Sequence, residues 1–106
     1  LLKDKSKKSK SISTTILNKD GHPSFSKKNQ NLLLTDTYPQ SKNHFKQDLI
    51  LYDVSNNNYT IEQISHLPEH AYAINRCDLH PKWSMDEKYI CVDSLRNKRS
   101  IEIYEI

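Results

Sequence analysis

The run Asp20-Gly21-His22-Pro23-Ser24-Phe25-Ser26 returns 58 positions later as Asp78-Leu79-His80-Pro81-Lys82-Trp83-Ser84. Asp, His, Pro, an aromatic and Ser keep their places, which marks an internal repeat. The residues downstream of each copy match as well. A polar turn, one residue longer in the first copy, leads into an apolar run that ends in an acid and a hydroxyl, Asp36-Thr37 first and Asp93-Ser94 second. A second polar connection leads to Ile50-Leu51-Tyr52-Asp53-Val54, matched by Glu102-Ile103-Tyr104-Glu105-Ile106. The first copy continues into a fourth run at 59–67, and the second stops after three.

Every one of these runs is short, and clusters of Asn, Lys, Ser, Asp and Pro separate them, as turns separate strands. No window of eleven or more residues holds a period near 3.6, so no long helix is predicted. The spacing predicts strands over 11–17, 22–26, 31–38, 48–54, 59–67, 81–84, 88–94 and 100–106. Leu32–Leu34 and Leu49–Leu51 are apolar without alternation, as in strands covered on both faces. Repeated four-stranded units with both faces covered are the blades of a β-propeller. The expected fold is therefore all-β, a partial propeller with about one complete four-stranded antiparallel blade and most of a second. The expected boundaries are a basic tail at 1–10, an outer strand of a neighbouring blade at 11–17, a complete blade at 18–68 and three strands of the next at 69–106. Since a ring takes 4–8 blades, such a chain reads as part of a larger propeller. Its remaining blades, or self-association through exposed blade faces, are the expected protein partners.

Composition narrows the function classes. One Gly in 106 residues leaves no Gly-rich phosphate loop. No apolar run reaches the 18 or so residues of a membrane helix, and mean hydropathy is −0.83. Five of the sixteen basic residues but one of the thirteen acids lie in residues 1–10, so the net charge of +3 belongs to that tail. A basic face with interleaved aromatics is missing elsewhere, and neither nucleic acid nor membrane is an expected partner. With Trp83 opposite Tyr89, Cys77 and Cys91 fall about four residues out of register, ~13 Å at ~3.3 Å per residue, beyond the ~7 Å Cα separation a disulfide tolerates. Two free thiols and no signal-peptide h-region make a cytoplasmic location the expectation.

His-Pro-x-(Phe/Trp)-Ser, a polar turn, an apolar strand ending in Asp and a strand ending in Tyr-(Asp/Glu) resemble the WD-like propeller repeat of Tol-system type. More narrowly, Asp20 to Ser26 with Leu33-Leu34-Thr35-Asp36-Thr37-Tyr38-Pro39, and Arg76-Cys77-Asp78-Leu79-His80-Pro81-Lys82-Trp83-Ser84, look like consecutive blades of oligogalacturonate-lyase-like propellers. The resemblance spans roughly residues 19–106. The turn glycine of the usual repeat is replaced in both copies.

Residues i and i+2 of a strand share a face. Asp20 with His22, and Asp78 with His80, therefore form same-face pairs, and Arg76 extends the second. Imidazoles there are candidate bases or metal ligands, and Arg76 can neutralise a carboxylate. His22, His80 and Arg76 are thus the catalytic candidates, and His22 and His80 the metal candidates, with ligand and base undivided between them. Tyr72, Arg76 and Asp78 are the ligand-binding candidates. Repetition of the pair in each copy equally fits a structural role in joining strands and turns. Phe25 and Trp83 are expected to fill equivalent gaps between blades. The lyase resemblance implies a divalent metal such as Mn²⁺ and abstraction of the proton α to a uronate carboxylate. The residues thus leave three readings: a ligand- or partner-binding module for acidic carbohydrate, a lyase performing metal-assisted β-elimination on uronate oligosaccharides, and a scaffold.

Overall fold

The computed structural model describes residues 9–39, 46–64, 77–94 and 99–106. Among them there are two antiparallel sheets and no helix. The first sheet runs in chain order through β1 (Ser24–Phe25), β2 (Leu32–Asp36), β3 (Gln47–Asp53) and β4 (Asn58–Ile64). The second runs through β5 (Lys82–Trp83), β6 (Tyr89–Ser94) and β7 (Ser100–Glu105).

The repeat is visible in the strand pairing. Phe25 pairs with Leu33, which pairs with Tyr52, and in the second sheet Trp83 pairs with Ile90, which pairs with Tyr104. The closing bonds match too: Ser26 and Ser84 donate their N–H groups to Leu32 and Tyr89, and Val54 and Ile106 donate theirs to Asn31 and Lys88. Trp83 thus pairs with Ile90 and not Tyr89, one residue from the expected register. The reason is the Ser84 hydroxyl, which accepts the Tyr89 N–H at 3.1 Å and so commits Tyr89 to closing the turn. Both cysteines are free, and burial pushes the Cys77 thiol up from its ordinary value.

Turns lacking glycine need another residue for the left-handed backbone. Asn57 takes φ 60° between β3 and β4, and Tyr52 donates its hydroxyl to the Asn57 side chain at 2.6 Å. Asn is among the residues that tolerate this region. Glu87 takes φ 58° between β5 and β6, a region that a side chain without Asn's local hydrogen bonding enters only under strain.

The two sheets stack. Leu34, Leu49 and Ile64 of the first sheet form one buried cluster with Leu79, Ile90 and Val92, and Leu51, Trp83 and Tyr104 pack against it. The opposite face of the first sheet, Leu33, Ile50 and Tyr52, is covered by Ile12, Ile16 and Leu17. Non-alternating Leu runs in β2 and β3 follow from this double covering.

The segment 11–17 does this covering without forming the expected strand. It bends around Ser13, whose hydroxyl accepts the N–H groups of Ile16 at 3.2 Å and Thr15 at 3.4 Å. A hydroxyl offering the backbone a local partner competes with strand pairing. Residues 1–8 of the basic tail lie outside the described residues. Phe25 and Trp83 hold equivalent positions, but Phe25 remains 36% exposed. Trp83 meets the first sheet, whereas the short 11–17 segment does not reach across Phe25.

A carboxylate bolts the two β1–β2 and β5–β6 turns together. Glu87 accepts the Ser26 hydroxyl and the Lys27 N–H at 2.8 Å, while the Lys28 amine donates to the Asp86 carbonyl at 2.8 Å. The Ser26 hydrogen bond, with help from the Lys27 and Lys28 N–H groups, holds the Glu87 carboxyl below its usual range. A depressed folded value means stability that is complete above the unfolded value, about 4.3, and is lost as pH falls through the folded one. Urea titrations at several pH values should therefore show wild type above Glu87→Gln near neutrality and the two converging as pH falls through the lowered folded value of Glu87. Parallel curves would mean that the contact carries no linkage.

Candidate functional site

Just before β1 and β5 the chain passes through Gly21-His22-Pro23 and Leu79-His80-Pro81, and stacking of the sheets brings the two stretches side by side. The imidazole centroids of His22 and His80 are 4.3 Å apart, tilted by 45°. One sheet alone contains half of this arrangement.

The anchor is Asp36 at the end of β2, whose side chain is fully buried. Its carboxylate accepts the His22 N–H at 2.7 Å, the His22 Nδ1–H at 3.0 Å and the His80 N–H at 3.3 Å. Because a carboxylate only accepts, Nδ1 of His22 carries the proton and Nε2 keeps its lone pair when the ring is neutral. Tyr38 lies against that edge, its hydroxyl 3.3 Å from Nε2 and its ring edge-on at 5.0 Å. His80 sits at φ 44°, a strained backbone that accompanies the N–H bond to Asp36. Its Nδ1 lies 3.7 Å from an Asp93 oxygen, with both side chains about half exposed, so water screens the pair.

His22 is thus held by Asp36 at a strand end and not by Asp20 two residues upstream, while Asp93 makes only a screened contact with His80. The signal was present in the repeat, since both apolar runs end in an acid followed by a hydroxyl. Pairing across a sheet brings a strand end to a residue fourteen positions away, which i, i+2 reasoning on one strand does not reach.

Asp78 has a different role. One donor atom each from His22, Asp78 and His80 lies within 4.8 Å of the other two. Donors at about 2.1 Å from a common ion lie at most ~4.2 Å apart, so a slight closing would seat a divalent metal. The carboxylate behind His22 is the outer-shell arrangement that aims an imidazole at a metal. Asp20, the repeat mate of Asp78, is exposed and lends its backbone carbonyl to the Tyr38 N–H at 3.2 Å. Among the described residues the cluster therefore occurs once, although the motif occurs twice.

Beside the histidines, Gly21, Pro23, Ser24, Pro81 and Lys82 line an open depression of about 450 Å³. Sequence reasoning passes over Lys82, because a lone lysine in a strand reads as surface. The candidates Tyr72 and Arg76 lie outside the described residues.

Gly21 is where the chain passes closest to the anchor. A β-carbon there would fall 1.8 Å from the Asp36 carbonyl oxygen. Gly21→Ala must push the 20–23 stretch off β2, costing about 1–3 kcal/mol as overpacking does. Differential scanning calorimetry checks this, and an unchanged melting temperature would show that the stretch is free to move.

Comparison with protein-family models, with curated proteins and with solved structures returns no match. No helix among the described residues is long and apolar enough to cross a membrane.

Proposed function

We propose that this chain is a β-propeller segment that binds an acidic carbohydrate at the seam between its two sheets. The observation that carries the reading is the meeting of His22 and His80, 4.3 Å apart, above a depression that Lys82 also lines. The His80 imidazole and the Lys82 amine offer N–H donors to one small area, and the Asp36 charge beneath is occupied by three donors of its own. An anionic sugar suits such a surface, since hydrogen bonds to charged groups contribute about 1.5–3 kcal/mol each. The matched strand pairings and the stacking of the sheets support the propeller part of the reading.

Isothermal titration with oligogalacturonate and with a neutral oligosaccharide of equal length tests it. The acidic ligand alone should bind, weakening with salt, and Lys82→Ala should cost about tenfold in affinity. Equal binding of both ligands, or of neither, overturns the reading and leaves the scaffold.

The His22, Asp78 and His80 cluster favours a second reading, a lyase of uronate oligosaccharides. These three residues would hold a divalent metal such as Mn²⁺, which supplies Lewis acidity toward a substrate carboxylate. Asp36 fixes the His22 tautomer, so that Nε2 would turn its lone pair to the ion; the proton α to that carboxylate, acidified by the ion, would pass to a water molecule as the glycosidic oxygen leaves and a C=C bond forms. If so, Mn²⁺ raises the melting temperature of wild type and not of His80→Ala, and an ultraviolet-absorbing unsaturated product accumulates. Failure of both removes the metal and the lyase together. We also propose a reducing, cytoplasmic setting, on the strength of the free Cys77 and Cys91.

A further inference from the structure

We propose that copies of this chain associate head to tail, the outer face of the second sheet docking against the outer face of the first sheet of another copy. The molecule carries its own template for this contact. Since Phe25, Leu33 and Tyr52 correspond to Trp83, Ile90 and Tyr104 in the pairing, Leu34, Leu49 and Leu51 correspond to Cys91, Ile101 and Ile103. In the first sheet this Leu face is covered: Leu34 is 0% and Leu49 6% exposed beneath Leu79, Ile90, Val92 and Trp83. In the second sheet the same face is open, with Ile101 at 69%, Ile103 at 65% and Tyr89 at 40%.

The template also states what should cover it. The Leu face is covered by a surface built on Trp83, Ile90 and Tyr104, and the repeat equivalent of that surface is Phe25, Leu33 and Tyr52. That surface continues across the sheet into Tyr59 and Ile61, the partners of Tyr52 and Ile50. Although Ile12, Ile16 and Leu17 cover its centre, Phe25, Tyr59 and Ile61 remain 36%, 51% and 45% exposed. Net charge is complementary: Asp93 and Glu105, with one lysine, Lys82, lie on the open second-sheet face, and Lys10 and Lys19, with one exposed acid, Asp20, stand beside Leu33 and Ile50 on the first. The two surfaces face opposite ways on one chain, so they meet only between copies. A contact between two different faces is heterologous and generates open chains or a closed ring.

Sedimentation velocity from micromolar to millimolar concentration reads the association. Wild type should grow beyond a dimer with concentration. Ile101→Asp with Ile103→Asp, and separately Tyr59→Asp with Ile61→Asp, should each give a monomer with unchanged far-ultraviolet circular dichroism, because all four side chains are exposed. An equimolar mixture of the two variants should form dimers and nothing larger, since each supplies one intact face. A wild type that stays monomeric overturns the proposal. So does association abolished by only one variant pair, as in a self-complementary contact, or a mixture that stays monomeric.

Discussion

Trp83→Ala should cost about 3 kcal/mol of folding stability, and Phe25→Ala about 1–2 kcal/mol, although the repeat gives the two residues the same position. The difference comes from what each meets. Trp83 packs into the cluster of Leu34, Leu49 and Ile64 from the other sheet, so its removal opens a cavity at the large apolar contact between the sheets. Phe25 stands outside the cluster that Ile12, Ile16 and Leu17 cover and keeps 36% of its surface in water. The Trp83 indole N–H is buried with no hydrogen-bond partner among the described residues, which takes the loss to the low end for a tryptophan. Trp83→Phe removes that orphan and should cost less than Trp83→Ala. Denaturant unfolding followed by circular dichroism measures all three. Equal losses for Trp83→Ala and Phe25→Ala would mean that the stacking of the two sheets contributes nothing beyond local burial.

Asp36→Ala is expected to cost about 2–3 kcal/mol, and to loosen the His22–His80 pair as well. The carboxylate satisfies two backbone N–H groups and the His22 ring, and each donor left unmatched away from water costs about 1–3 kcal/mol. Part is recovered, because the His22 side chain is 31% exposed and can turn to solvent. Asp36→Asn keeps the shape but turns an N–H₂ group toward existing donors, so it should lose nearly as much. Asp93→Ala, the repeat equivalent at a 3.7 Å screened contact, should cost less than ~0.5 kcal/mol. If Asp36→Ala and Asp93→Ala proved alike, the buried anchor would have no energetic meaning.

Much of the architecture is legible in the residues. Five of the expected runs contain their strands, β3 and β4 begin one residue before theirs, and the two-residue β1 and β5 fall at the same place in each copy. Short apolar runs between turn-forming clusters carry that information locally. The exception is 11–17, where Ile and Thr favour a strand by composition while the Ser13 hydroxyl captures the backbone N–H groups nearby. The proximity of His22 and His80 follows from the repeat once the sheets stack, because equivalent positions of stacked units lie side by side.

By itself the sequence determined the strand order, the repeat and the alignment of its two copies, since these depend on local patterning and on which residues recur. Only the tertiary structure decided that Asp36 rather than Asp20 grips His22, that Asp78 joins the histidine cluster while Asp20 stays out, and that Trp83 packs against the core between the sheets while Phe25 does not. Those choices depend on which surface lies across a sheet or on the next one. Two copies of one motif are alike in the residues that make them, and they differ in the neighbours that cover them.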